Sequence, residues 1–287
     1  MPAIVLVVLD GWGIAPAGPA NAVSLAKLPN FNRFWRDFPH TTLTASGEAV
    51  GLPRGEPGNT ETGHLNLGAG RIVYQDLPRI NMAIADGSFY KNPALLSAID
   101  HVRKTGGKLH LAGLIGSGGV HSNSEHLFAL LALCREQGIA RVFLHLFTDG
   151  RDSPPTSAKV FIDQVERETA SIGVGRIATI AGRYYAMDRD ERWDRTEKAY
   201  KAMVKGEEIY ADSIKEALDH AYGSQITDEF IVPTVIVDKN KKPVATVGRG
   251  DAIIFFNFRV DRLRQLTKVF VYDNFEDGVK TKQGFDP

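Results

Sequence analysis

Charged side chains recur just after apolar runs in this chain. Leu109–Leu114 leads into Gly116-Ser117-Gly118-Gly119 and then His121, and Arg141–Phe147 leads into Asp149, Arg151 and Asp152. Ile177–Ile180 is followed by Arg183 and Arg189, and Asp251–Asn257 by Arg259 and Arg262. Arginine is planar, permanently charged and able to grip a carboxylate or phosphate through two bonds at once. Any one of these arginines reads equally well as a solvated loop residue in a weak surface pair. Gathered on one rim, they predict a pocket for a small molecule carrying a phosphate, a carboxylate and a hydroxyl. Asp152 and Asp261 are suited to neutralise part of the positive charge, and His121 or Asp152 to meet the hydroxyls.

A second kind of chemistry is written nearer the amino terminus. Asp10 directly follows the apolar run Ile4–Leu9, a position from which a carboxylate reaches a hard cation. Gly58-Asn59-Thr60-Glu61-Thr62-Gly63-His64 is a glycine-bounded turn leading into Leu65-Asn66-Leu67. Thr60 has two readings there. It caps a helix, which the spacing alone favours, or it is an alcohol whose nucleophilicity a metal and a helix N-terminus would raise. His64 reads as a hydrogen-bonded packing residue rather than a ligand, and Tyr184-Tyr185 as a pocket wall.

These residues need a scaffold, and the chain supplies an α/β rhythm of apolar strand, polar loop and helix with a mostly parallel sheet. Strands are expected at Ile4–Leu9 (buried), Leu109–Leu114, Arg141–Phe147, Ile177–Ile180 and Asp251–Asn257. A hairpin is expected to join Thr234–Val237 to Val244–Val247. Helices are expected over about Asn21–Trp35, from a Ser122/Glu125 capping box to Gly138, and over Ser157–Ser171, Trp193–Lys205, Ile214–Tyr222 and Arg259–Phe270. In such sheets ligands bind beyond the carboxyl ends of the strands, which is where the charged residues fall. The stretch Arg71–Phe89 reads as a packed crossover with a hinge.

Composition excludes several classes. The 34 basic and 34 acidic residues among 287 cancel, so no bulk field draws the chain to nucleic acid or an anionic membrane. The single cysteine, Cys134, ends an apolar run and reads as core, and one thiol suits a reducing cytoplasm. Ile4–Leu9 is too short to span a bilayer and lacks the marks of a signal peptide. No Walker loop, dinucleotide fingerprint, zincin motif or nucleophile elbow occurs.

Taken in order, the segments resemble the cofactor-independent phosphoglycerate mutases of the alkaline phosphatase superfamily. The resemblance runs from Val5-Leu6-Val7-Val8-Leu9-Asp10-Gly11-Trp12-Gly13 to Asn257-Phe258-Arg259-Val260-Asp261-Arg262. Between them lie Ala45-Ser46-Gly47-Glu48, Gly63-His64-Leu65-Asn66-Leu67-Gly68-Ala69-Gly70-Arg71, Gly118-Gly119-Val120-His121-Ser122, Asp149-Gly150-Arg151-Asp152 and Gly182-Arg183-Tyr184-Tyr185-Ala186-Met187-Asp188-Arg189-Asp190. The resemblance implies a transferase domain, residues 75–287, inserted in a split phosphatase domain of which residues 1–74 are the amino-terminal piece. It implies interconversion of 3- and 2-phosphoglycerate through a phosphoenzyme, with two divalent ions, most often manganese, and without bisphosphoglycerate. Asp10 would then be a metal ligand, and Thr60 both ligand and nucleophile. His121, Arg151, Asp152, Arg183, Arg189, Arg259 and Arg262 would hold the substrate. A cytoplasmic enzyme, monomeric when complete, is expected.

Two departures bear on that expectation. Thr60 stands where the family has serine, and Pro57 and Thr62 also replace residues usual there. The methyl group and stiff χ1 of threonine keep open a metal-dependent phosphomonoesterase. The family's remaining metal ligands and a catalytic lysine belong to a carboxyl-terminal half with no counterpart before Pro287. Asp10 and Thr60 are two hard ligands, short of a shell for two ions. The chain by itself is therefore expected to be incomplete and inactive, and a non-catalytic phosphoglycerate-binding module is the third reading.

Overall fold

The computed structural model describes residues 3–272, and the chain divides into two compact units between Pro78 and Arg79. The last residues of the expected transferase domain, 273–287, lie outside the described residues.

The first unit holds helices α1 (Ala22–Leu25), α2 (Pro29–Asp37) and α3 (Thr60–Ala69), and no strand among its described residues. The expected helix over Asn21–Trp35 is two helices, because Pro29 cannot continue the first and instead opens the second. The expected buried strand at Ile4–Leu9 is a correction. Ile4 is 96% exposed and Leu6 84%, and the segment has no strand conformation. A strand persists only where a neighbour takes its backbone N–H and C=O groups, and among the described residues of this unit none does. Within the unit Trp12 and Phe31, Phe31 and Trp35, and Trp35 and His40 pack as tilted ring pairs, the backbone packs closely around Gly51 and Gly58, and Asn66 bonds Val50 O and the Val73 amide.

Helix α4 (Asp76–Ala85) runs through the boundary at Pro78, in the stretch read as a crossover. Beyond it, the second unit is built on six strands: β1 (Leu109–Ile115), β2 (Val142–Thr148), β3 (Arg176–Gly182), β4 (Ile209–Ala211), β5 (Thr234–Ile236) and β6 (Ala252–Phe255). Their order is β4-β5-β3-β2-β1-β6, all neighbours parallel except β3 and β5. Every residue of β1 and β2 is buried, the signature of strands covered on both faces.

Alternation along the strands assigns the two faces. Leu109, Leu111, Leu144 and Leu146 meet helices α5 (Pro93–Thr105), α6 (Ser124–Glu136), α7 (Ala158–Ile172) and α10 (Ile214–Gly223). Ala112, Leu114, Phe147 and Ala181 meet α8 (Arg183–Ala186), α9 (Trp193–Val204) and α11 (Arg264–Val271) on the other side. Cys134 is buried in the first layer, and burial pushes its thiol up to about 12.

Several boundaries differ from expectation for local reasons. Asn123, not Ser122, caps α6, its side chain taking the Glu125 amide, while the Ser122 hydroxyl donates to Leu114 O. The expected hairpin shrinks to one antiparallel bridge, Val237 to Pro243, and Val244–Val247 forms no strand. The last helix starts at Arg264, because Arg259–Leu263 is loop and turn.

A polar seam crosses the sheet. His145 Nδ1 lies 2.9 Å from Thr179 Oγ1, His145 Nε2 2.8 Å from His110 Nδ1, and His110 Nε2 3.2 Å from Asp251 Oδ2. Burial is the main cause that pushes His110 down to about 4, opposed by Asp251 and reinforced by Lys108. His126, whose Nε2 meets Asn81 Oδ1 at 2.8 Å, is pushed by burial to about 4. These folded-state pKa values lie below the unfolded value of about 6.5. Between about pH 6.5 and pH 4 the unfolded chain therefore binds protons that the folded chain does not. Stability is full above that window and falls with pH inside it, each such site contributing at most ~1.4 kcal/mol per pH unit. Urea midpoints measured across the window are expected to fall steadily; a flat profile would contradict buried neutral imidazoles.

Candidate functional site

The parallel order of β3, β2, β1 and β6 carries four chain segments to one rim, because each strand's carboxyl end points the same way. The rim receives the loop carrying His121 after β1, Asp149–Asp152 after β2, Arg183 immediately after β3, and Arg259–Arg262 after β6.

At its centre is Arg183, 3% exposed. Its Nη1 donates to Asp149 Oδ1 at 2.6 Å and to Asp152 Oδ2 at 2.7 Å, and its Nη2 meets His121 Nε2 at 3.0 Å. Burial opposes the charge of Arg183, but the bonds and charges of Asp152 and Asp149 outweigh it and leave the pKa above its ordinary value. Burial likewise pulls Asp152 upward, and the Arg183 bond and charge, with His121 and Arg151, overcome it and hold the carboxyl below the usual range.

The rest of the cluster gathers on Asp261. Arg189 Nη1 donates to Asp261 Oδ2 at 2.8 Å, and Arg259 Nε approaches Asp261 Oδ1 at 3.2 Å. Arg151 pairs with Glu229 at 3.3 Å. Arg262 differs from all of these: its Nε is buried without a hydrogen-bond partner among the described residues. Burial, then the like charges of Arg183, Arg189 and Arg151, lowers its pKa against the pull of Asp261. His121 Nδ1 and Asp261 Oδ1 are also buried without a hydrogen bond, 4.0 Å apart. His121 is pushed down to about 4 by burial and by Arg183, with Asp152 and Asp261 opposing and Arg259 reinforcing.

Glycines make this density possible. A Cβ on Gly116 would lie 2.6 Å from Ser153 Oγ, and one on Gly118 would lie 2.6 Å from Asp152 Cβ. The His121 loop therefore rests directly on the Asp149–Ser153 loop. The backbone N–H of Arg259 donates to His121 O at 3.3 Å and ties in the third loop.

All seven rim residues expected from the sequence, His121, Arg151, Asp152, Arg183, Arg189, Arg259 and Arg262, thus fall within one connected neighbourhood. Sequence reasoning placed Asp149 on the rim without a task and did not single out Ser153, Glu229 or Gln265. Ser153 Oγ donates to Asp149 Oδ2 at 2.8 Å. Gln265 Nε2 donates to Asp188 Oδ2 at 3.0 Å, and that oxygen also takes the amides of Asp190 and Arg192, which shapes the loop bearing Arg189. Asp149 had a signal, its place directly after β2; Glu229 and Gln265 had none, being distant in sequence from their partners.

In the first unit, Thr60 is the first residue of α3 and not its cap; Asn59 is the cap, accepting the Thr62 amide at 2.9 Å. Gly58 sets the turn, since a Cβ there would lie 1.5 Å from Ala45 O. Thr60 Oγ1 donates to Asp10 Oδ2 at 2.7 Å, so the two sequence-expected metal-ligating oxygens are adjacent. His64 Nδ1 lies 2.9 Å from Thr60 O and the ring is exposed rather than packed. Among the described residues no group of three or more His, Cys, Asp or Glu side chains could hold a metal ion. Two adjacent oxygens suit an edge of a hard-cation site but do not form a shell for two ions.

The family described as BPG-independent PGAM N-terminus (iPGM_N) matches residues 80–285. The chain belongs to that family. It is 55% identical over 273 residues to the 2,3-bisphosphoglycerate-independent phosphoglycerate mutase of Moorella thermoacetica, covering 95% of this chain and 53% of the relative. It is 55% identical over 277 residues to the protein of the same name from Chloroflexus aggregans, covering 96% and 51%. A solved structure of Leishmania mexicana phosphoglycerate mutase, determined at low cobalt concentration, aligns with a TM-score of 0.72 at 34% identity, covering 93% of this chain and 51% of that one. The chain spans about half the length of the relatives it matches. Among the described residues no helix is long and apolar enough to cross a membrane.

The cluster predicts opposite behaviour for two of its arginines. Arg183→Ala leaves Asp149 buried and uncompensated and should cost roughly 3–5 kcal/mol of stability. Arg262→Ala removes a crowded cation and should change stability by no more than about 0.5 kcal/mol in either direction. Denaturant titration of both variants measures the contrast; equal losses would mean that Arg183 is not the buried hub.

Proposed function

We propose that the second unit binds a phosphoglycerate and that Thr60 carries the phosphoryl group in the interconversion of 3- and 2-phosphoglycerate. The observation that carries this reading is the set of buried polar atoms without a hydrogen bond inside the arginine cluster: His121 Nδ1 and Arg262 Nε as donors, and Asp261 Oδ1, which Arg259 Nε approaches at 3.2 Å, as acceptor. Unpaired buried donors cost free energy unless a ligand meets them. A small molecule with anionic oxygens and a hydroxyl meets them, and Arg151, Arg189 and Arg259 stand nearby with exposed side chains able to reach its phosphate and carboxylate. Asp152 and Arg183 complete the proposed binding set.

For the transfer itself, the hydrogen bond from Thr60 to Asp10 supports the pair as nucleophile and metal ligand. A carboxylate accepting the hydroxyl proton's bond orients the oxygen, and the amino-terminal end of α3 favours negative charge on it. Metal dependence belongs to the proposal, with two divalent ions and manganese as the expected identity. Among the described residues no group of three or more His, Cys, Asp or Glu side chains joins Asp10 and Thr60 to complete a metal shell. No bisphosphoglycerate is required, since the enzyme's own hydroxyl stores the phosphoryl group. A cytoplasmic location, a monomeric state and the absence of nucleic-acid or membrane partners complete the reading.

Calorimetry of the 287-residue chain with each isomer tests the binding half. Binding of 3- or 2-phosphoglycerate without turnover is expected, and absence of binding at millimolar ligand would reject the anion cup. In a longer protein carrying the full metal set, Thr60→Ala should abolish phosphoenzyme formation and Thr60→Ser should retain it. Phosphorylation of the Thr60→Ala protein would move the nucleophile elsewhere. Threonine at position 60 keeps open a second reading, a metal-dependent phosphomonoesterase; accumulation of inorganic phosphate in place of 2-phosphoglycerate would select it.

A further inference from the structure

Arg183 has no lone pair to offer, so the 3.0 Å approach of its Nη2 to His121 Nε2 can be a hydrogen bond only if Nε2 is unprotonated. The imidazole must then be neutral and carry its proton on Nδ1. An alternative would protonate Nε2 and turn it toward Asp152 Oδ2, but that oxygen is 3.6 Å away and already takes Arg183 Nη1 at 2.7 Å. The groups facing His121 are Arg183, Asp152, Arg259 and Asp261. Burial and the two arginines favour the neutral ring over the two carboxylates, in accord with the downward pKa already described.

What holds Arg183 in that orientation is Asp149, 2% exposed. Its Oδ1 takes Arg183 Nη1 together with the amides of Asp152 at 3.1 Å and Arg151 at 3.3 Å, and its Oδ2 takes Ser153 Oγ. Ser153 in turn accepts the Ser117 amide at 3.0 Å, fixing the loop that carries His121. Every polar atom around Nε2 is thereby committed, while Nδ1, on the other side of the ring, has no hydrogen bond.

We propose that Asp149 is a positioning residue which, through Arg183, locks His121 as the Nδ1–H tautomer, so that His121 Nδ1–H and Asp261 Oδ1 form a donor–acceptor pair for one alcohol oxygen. The 4.0 Å between Nδ1 and Oδ1 is too long for a direct bond. One oxygen at about 2.8 Å from each would bridge them at about a right angle, accepting from the imidazole and donating to the carboxylate. Among the groups of a phosphoglycerate only the hydroxyl does both, taking the place a bridging water could hold; an ionised phosphate or carboxylate oxygen would face Asp261 without a proton. The alcohol assignment rests on the phosphoglycerate reading above, whereas the tautomer lock does not.

Long-range proton–nitrogen NMR of the histidine-labelled 287-residue chain reads the tautomer directly, with His121→Gln identifying the resonance. A protonated Nδ1 and bare Nε2 at neutral pH are expected, giving way in Asp149→Asn to a tautomer mixture or to an imidazolium titrating near neutrality. If circular dichroism shows Asp149→Asn unfolded, Ser153→Ala, which removes the bond to Asp149 Oδ2 together with the acceptor of the Ser117 amide, replaces it with the same expectation. Calorimetry should show 3-phosphoglycerate binding roughly tenfold or more tighter than its analogue lacking the 2-hydroxyl, 3-phosphonooxypropanoate, with the ratio shrinking in the folded variant. An Nε2–H tautomer or imidazolium in the unsubstituted chain, or an unchanged tautomer in the folded variant, overturns the lock. Equal binding of the two ligands overturns the alcohol assignment. The tautomer as described with no phosphoglycerate binding supports the lock and overturns the alcohol assignment together with the phosphoglycerate reading.

Discussion

A guanidinium taken out of water must be met by charge and by hydrogen bonds, and the burial of Arg183 imposes that requirement on everything around it. Asp149 and Asp152 share one of its nitrogens and His121 takes the other. These three partners arrive from loops after two different strands, so the ion cluster joins the ends of β1, β2 and β3. If Arg183 were absent, two carboxylates would face each other near a neutral imidazole. The loops would have no electrostatic reason to hold their arrangement.

From that hub the positive charge is graded outward. Arg183 is the most heavily committed, with Nη1 on two carboxylates and Nη2 on His121, while Arg189 and Arg259 share Asp261, Arg151 leans on Glu229, and Arg262 keeps a buried Nε without a hydrogen bond among the described residues. Anion recognition needs that gradient. Arginines wholly neutralised by carboxylates would have nothing left to offer a ligand, and arginines with no carboxylates nearby would repel one another out of position. The same balance keeps Asp152 and Asp261 ionised against the cost of burial.

The first unit works under a different constraint. Thr60 owes its position to backbone packing: Gly58 lets the turn press against Ala45, Asn59 caps α3, and Thr60 follows with its hydroxyl on Asp10. Its apolar run Ile4–Leu9 stays exposed, because alternation and hydrophobicity propose a strand but only a neighbouring strand can complete one. The expectation failed on a long-range partner that no local pattern encodes.

Much of the second unit was legible as sequence. Largely apolar runs marked β1, β2 and β3, since strands covered on both faces bury residues on both sides, polar His110 and His145 included, and the charged residues after each run marked the rim. The family resemblance could be read from ordered motifs, each a short stretch whose chemistry is local. The sequence could not show that β6 lies beside β1, which brings Arg259 and Arg262 to residues more than a hundred positions earlier. Nor could it rank the arginines: Arg183 and Arg262 look alike in a string of letters, yet one is paired on three sides and the other retains an unmet donor. Residue type and spacing determined which chemistry was present. Burial and the directions of hydrogen bonds, which exist only once the strands are stacked, decided which groups are spent on holding the site and which remain free to act.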